Sequence, residues 1–167
     1  QRWNWDLIYC ELYAGGKYKN NEAGAAYEFS PGLNGLGACA TQYSSEYMDV
    51  TSYDGSFARS IHFKKGEVCS ELIEEPLDRR NRRTGTVTRW RPDIEVFTDI
   101  KIPHDFFKET IRRQSVVNTG IRFVLLLEQE DGKFERHEYF YENGIVDYVT
   151  ELAGESAMIP PYSWHLE

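Results

Sequence analysis

The chain has 167 residues, with 19 Lys and Arg against 27 Asp and Glu and a formal net charge of −8. That length suits one domain with a sizeable core, and 41% hydrophobic with 14% aromatic residues argue against disorder, which needs low hydrophobicity. The longest apolar run, Phe123-Val124-Leu125-Leu126-Leu127, falls far short of the roughly twenty residues of a membrane span, and the acidic balance disfavours a direct grip on nucleic acid.

Taken in chain order, Leu7, Ile8, Cys10, Leu12 and Tyr13 fit a short helix ending at Gly15-Gly16. Residues 17–31, rich in Gly, Asn, Lys and Ala, read as a long loop, and loops beyond about 12–15 residues are usually functional or disordered. Helical spacing returns over residues 33–45. Strands follow at 46–53 and 57–64, flanking Asp54-Gly55, a dipeptide that supplies the positive φ of a tight hairpin. Residues 69–73 and 86–91 read as further strands, the second alternating Val87 and Arg89 against Thr88 and Trp90. Pro103 opens a helix with Asp105 in its first turn, an apolar stripe of Phe106, Phe107, Ile111 and Val116/Val117, and an end at Asn118-Thr119-Gly120. Residues 121–128 and 134–141 form a second hairpin across Asp131-Gly132, and residues 142–152 a short helix closing on Gly154. The order predicts an α/β sandwich of the α+β kind, with a mainly antiparallel mixed sheet and helices on one face.

Cys10, Cys39 and Cys69 lie far apart with no Cys-x-x-Cys pair, which reads as reduced thiols of a cytoplasmic protein. The start, Gln1-Arg2-Trp3-Asn4-Trp5-Asp6, has no secretory signal and no Met, so the chain is expected to be processed or cut from something longer. The one basic cluster, Arg79-Arg80-Asn81-Arg82-Arg83, precedes a Thr-Gly-Thr turn and reads as a solvated loop. His62 and His137 sit in strand patterns, His104 beside a helix start and His165 in the tail, and none makes a metal pair.

The most informative stretch is Ser30-Pro31-Gly32-Leu33-Asn34-Gly35-Leu36-Gly37, a Gly-x-x-Gly-x-Gly run opening a helix. Glycines let the backbone approach a ligand closely, and a helix's first turn presents free N–H groups with partial positive charge, a combination that suits phosphates. The order is neither the Gly-x-Gly-x-x-Gly of a Rossmann turn nor the Gly-Lys-Ser/Thr of a P-loop. On the glycines alone, a helix entry packed tightly on a strand fits equally well.

The flanks separate those readings. Ala14-Gly15-Gly16-Lys17 stands upstream, Tyr27 lies just before the glycines, and Arg83-Thr84-Gly85-Thr86-Val87 comes later. Asp54-Gly55 with Arg59, Trp90-Arg91-Pro92-Asp93 with Phe97-Thr98, Asn118-Thr119-Gly120-Ile121 and Tyr141-Glu142-Asn143-Gly144-Ile145 complete a pattern in order over residues 7–152. The combination resembles the ATP-binding domain of the DNA gyrase B subunit and its topoisomerase IV relative, in the Bergerat-fold or GHKL group of ATPases.

The resemblance implies that residues 1–154 are part of such an ATP-binding domain and 155–167 the start of the connection to a transducer domain. Gly32, Gly35 and Gly37, with the backbone of Leu33, Asn34 and Leu36, would wrap the phosphates of ATP. Lys17 and Tyr27 would belong to a lid over the nucleotide, Thr86 would hold the adenine through its hydroxyl, and Arg59 would line the pocket mouth. Taken singly, Lys17 would be a solvated lysine, Tyr27 a packed aromatic, Thr86 a strand threonine and Arg59 an outward hairpin residue; their joint spacing raises them. ATP and Mg²⁺ would be the cofactors, and the A subunit and DNA the partners of the whole protein.

Two departures concern the loop: the family commonly has His where Asn34 stands and Gly where Pro31 stands, and the segment between Lys17 and Tyr27 is a few residues long for it. A larger one concerns the ends. The family's water-activating Glu, its Mg²⁺-holding Asn and its adenine-reading Asp-x-Gly-x-Gly segment would all precede Trp3, and the transducer Lys would follow about Pro160. The chain is therefore expected to carry no catalytic residue and no metal ligand, to hydrolyse little by itself, and to self-associate. A non-catalytic interaction module that keeps the scaffold is the alternative, against which the joint presence of Lys17, Tyr27 and Thr86 argues.

Overall fold

A computed structural model describes residues 2–14, 35–156 and 158–161, and the chain divides into two units, Gln1–Ile100 and Lys101–Glu167. In the first unit, β1 (Ser45–Asp54) and β2 (Phe57–Lys64) form the hairpin expected across Asp54-Gly55. The Asp54 carboxylate closes the turn by accepting the backbone N–H groups of Ser56 and Phe57, both at 2.8 Å. That turn fixes the register: Tyr53 faces Ala58, Ser52 faces Arg59 and Val50 faces Ile61. On the other side of β1 lies β5 (Thr84–Pro92), placing Thr86 opposite Ser52 and Thr88 opposite Val50. The outer edge of β2 is shared by β3 (Glu67–Val68) and β4 (Ile73–Pro76), and every pairing is antiparallel.

Side chains alternate between the two faces of a sheet, so this register gathers Met48, Val50, Ile61 and Phe63 on one face as a buried cluster. α1 (Asn4–Cys10) covers it with Trp5, Tyr9 and Cys10; the Trp5 ring meets Phe63 edge-on at 6.1 Å and Tyr9 lies 5.7 Å from it. Beside α1 packs the second helix, α2 (Gly37–Tyr43), burying Cys39 and Gln42. The opposite face is polar: Asp49 bonds His62 at 2.8 Å, and the hydroxyls of Thr51 and Ser60 meet at 2.8 Å. One apolar and one solvated face is the usual pattern of an antiparallel sheet.

The second unit begins with α3 (His104–Val117), entered through Pro103 as expected. The hairpin of β6 (Phe123–Glu128) and β7 (Phe134–Tyr139) follows, then α4 (Ile145–Ala153) and a 3-10 turn. Buried Tyr141 ties the unit together: its hydroxyl donates to Glu151 at 2.6 Å and accepts from Arg112 at 3.1 Å.

Four expectations about elements change. The first helix ends at Cys10 rather than at the glycines, and the helix expected over residues 33–45 is described only over Gly37–Tyr43. No strand runs through 69–73; there the Ser70 hydroxyl, not a backbone carbonyl, accepts the His62 N–H at 3.2 Å, which splits the edge into β3 and β4. The last helix starts at Ile145, after Gly144 at a positive φ of 57°.

Candidate functional site

A cavity of about 450 Å³ lies on the apolar face of the first unit's sheet, between the strands and α1. Each strand contributes alternate residues. Val50 and Ile61 form its floor, and Arg59, Ser52 and Thr86 cross it as one row over β2, β1 and β5. With strands about 4.8 Å apart, Arg59 and Thr86 stand roughly 10 Å from each other. The wall is aromatic and aliphatic: Trp3, Trp5, Ile8 and Tyr9 from α1 and its entry, with Leu72 at the side. An apolar hollow of this size with a few convergent polar groups is the usual form of a small-molecule site.

Those polar groups differ in what they already hold. Among the described residues, no side-chain hydrogen bond engages the hydroxyls of Ser52 and Thr86. The Trp5 indole N–H is buried and has no partner among the described residues, an open donor on a residue that lines the cavity. Arg59, by contrast, is committed: its Nε donates to Glu74 at 2.6 Å, a second N–H donates to Asp54, and its guanidinium lies over the Phe57 ring at 5.1 Å. The Arg59 hydrogen bond, aided by the two turn N–H groups, lowers the Asp54 carboxyl to about 2, and the same two carboxylates raise Arg59. Arg2, at the rim, is held by Asp6 at 2.7 Å and by Glu11, and its hydrogen bond holds the Asp6 carboxyl below the usual range.

The expected site residues thus separate into three groups. Arg59 and Thr86 come together on the cavity row. Gly35, Leu36 and Gly37 open α2 without lining the cavity. Gly35 has φ +60°, a conformation that favours glycine, and among the described residues a Cβ at Gly37 would meet nothing within 4 Å. Lys17, Tyr27, Gly32, Leu33 and Asn34 lie outside the described residues. Reading the sequence missed Ser52 and the aromatic wall. Ser52 was accessible in principle, since a turn at Asp54-Gly55 pairs it with Arg59; the wall depends on how α1 docks. Among the described residues, no group of three or more His, Cys, Asp or Glu side chains is placed to hold a metal ion.

Comparison with known proteins adds the following. The DNA gyrase B subunit of Enterococcus faecalis is 30% identical over 159 residues, covering 93% of this chain and 23% of that protein. The gyrase B subunit of Staphylococcus aureus is 30% identical over 152 residues, 90% of this chain and 22% of that protein. The DNA topoisomerase 4 B subunit of Mycoplasma capricolum is 28% identical over 157 residues, 92% and 23% respectively. The chain therefore spans less than a quarter of the length of these relatives. In structure it resembles the 43K ATPase domain of Thermus thermophilus gyrase B, solved in complex with an aminocoumarin, with a TM-score of 0.61 and 23% identity over 72% of this chain and 32% of that one. No model of a known protein family matches the chain.

Proposed function

We propose a nucleotide-binding function from one premise: the chain belongs to the family of the DNA gyrase and topoisomerase IV B subunits. Its first unit is the part of such a subunit that holds ATP, and the observation that carries this is the row of Arg59, Ser52 and Thr86 across the apolar cavity. The cavity suits a flat heterocycle: Val50 and Ile61 bury a face, the Thr86 and Ser52 hydroxyls and the orphan Trp5 N–H supply hydrogen bonds, and Arg59 marks the mouth. In this reading the backbone of Gly32, Leu33, Asn34, Gly35, Leu36 and Gly37 receives the phosphates, a Cβ at Gly37 meeting nothing within 4 Å among the described residues, and Lys17 and Tyr27 contribute to nucleotide binding.

Bound ATP supplies the phosphoanhydride whose cleavage, in a whole type II topoisomerase, drives passage of one DNA duplex through another. Most of that catalysis is positioning and charge stabilisation, and this chain's share is the cradle and the adenine pocket. Among the described residues no cluster of His, Cys, Asp or Glu side chains fits a Mg²⁺ site. The A subunit and DNA are partners of the whole assembly.

Isothermal titration of the chain with a non-hydrolysable ATP analogue tests the proposal. Binding is expected, abolished in Gly35→Glu and about tenfold weaker in Thr86→Val, the value of one hydrogen bond. No binding, or binding that both variants retain, favours the interaction module instead.

A further inference from the structure

Among the described residues, the cavity is lined by two charged side chains, Arg59 and Arg2, and each holds two carboxylates. Glu74 on β4 stands directly opposite Arg59, so the row of Arg59, Ser52 and Thr86 runs on through a carboxylate. Arg59 donates its Nε–H to Glu74 at 2.6 Å and a second N–H to Asp54. At α1 the arrangement repeats: Arg2 donates its Nε–H to Asp6 at 2.7 Å and a second N–H to Glu11, just past the end of the helix. Neither glutamate belongs to the residues that the sequence marks for the site.

Two positive and four negative charges leave these clusters with a net of −2. A lone guanidinium at the mouth of a hollow would draw a phosphate or a carboxylate, because its fork of N–H donors matches either group. Here an anion brought to either arginine meets two carboxylates already bonded to it, and repulsion outweighs attraction at both places. The rest of the lining carries no charge: the floor is Val50 and Ile61, and the hydroxyls of Ser52 and Thr86 suit the polar edge of an uncharged ring. Specificity is a difference between ligands, made as much by repelling the wrong group as by holding the right one.

We infer that these four carboxylates set the specificity of the cavity, by making it take an uncharged heterocycle and turn away an anionic group. The inference rests on the nucleotide reading above and gives it a direction. The base is the end that enters, and the phosphates stay outside, clear of Arg59 and Arg2. Asp54 also closes the hairpin turn and Asp6 lies in the first turn of α1, so Glu74 and Glu11 are the positions where charge is removed with least disturbance.

Methyl NMR of the chain titrated with purine-6-carboxamide and with purine-6-carboxylate, two probes of one shape that differ in charge, tests this. Any apolar hollow disfavours a charge, so the decisive quantity is how the affinity gap between the two probes responds to the lining. At low salt the carboxamide should shift the Val50, Ile61, Ile8 and Leu72 methyls in a saturable way and bind at least about tenfold tighter than the carboxylate. Glu74→Gln and Glu11→Gln should each narrow that gap about threefold, and together about tenfold, since each removes one negative charge. The narrowing should shrink at about 0.5 M salt, where partly exposed charges are screened, a response that a merely structural role would not give. Glu75→Gln, on the opposite face of β4 across from Ala58, should leave the gap as it is. Carboxamide shifts in each variant report an intact cavity. A gap that the double substitution leaves unchanged, or a carboxylate bound as tightly as the carboxamide, would overturn the inference and leave the nucleotide reading in place. Cavity methyls moved by neither purine would overturn both.

Discussion

Arg59 and Thr86 stand two strands apart in one cross-strand row, with Ser52 between them and directly opposite both. The relationship follows from one turn and one strand pairing, and it converts a scattered set of sequence positions into the edge of a single hollow. Because Arg59 is already held by Asp54 and Glu74, it acts at this edge as a fixed cation, while the Thr86 and Ser52 hydroxyls stay open for a ligand.

Ser52 sits mid-row on the cavity lining, where a larger side chain would fill the hollow. Ser52→Leu places a branched side chain mid-row, in the space between Arg59 and Thr86. Nucleotide binding should be lost in titration, while thermal stability changes by no more than about 0.5 kcal/mol, since Ser52 is exposed and buries nothing.

Much of the site is legible in the sequence, and what is not has physical reasons. Asp54-Gly55 marks the hairpin, and its register alone would pair Ser52 with Arg59. The β5 alternation places Thr86 and Arg89 on opposite faces. No local pattern, however, tells that Trp5 and Tyr9 would roof the cavity, because that requires α1 to dock on Phe63. Residues 69–73 mislead for another reason: their apolar content suggests a strand, and a single hydroxyl, that of Ser70, takes the bond that would have continued one.

Asp54 reports on the mouth of the site. Its folded pKa, about 2, lies below the ordinary aspartate value of about 3.9, chiefly because Arg59 donates to it. A depressed carboxyl contributes stability that is complete above its unfolded pKa and is lost as pH falls through its folded one, here between about pH 4 and pH 2. Arg59→Ala should move the Asp54 carboxyl titration, followed by NMR, up toward the ordinary value. It should stop short of it, because the Ser56 and Phe57 N–H groups remain.

Gly144 is set by its backbone. It has φ +57°, and a Cβ there would lie 2.5 Å from the Thr119 methyl and 3.1 Å from the Val116 carbonyl. Gly144→Ala should destabilise by about 1–3 kcal/mol, read as a lower melting temperature. Adding Thr119→Ser, which removes that methyl, should recover part of the loss.

The edge of β5 bears on self-association. Among the described residues it pairs only with β1, and Val87 and Trp90 on it are 56% and 44% exposed. An open edge with apolar side chains invites pairing with another strand. Sedimentation velocity should show concentration-dependent association at micromolar protein, reduced in Val87→Lys; a clean monomer at all concentrations would contradict it.

The most direct test of the central claim is methyl NMR of the chain titrated with a non-hydrolysable ATP analogue. The methyls of Val50, Ile61, Ile8 and Leu72, which line the cavity, should shift together in a saturable way, while those of Val87 and Leu127 stay in place. Shifts confined to residues outside the cavity, or no shifts at all, would contradict the assignment of this hollow as the nucleotide site.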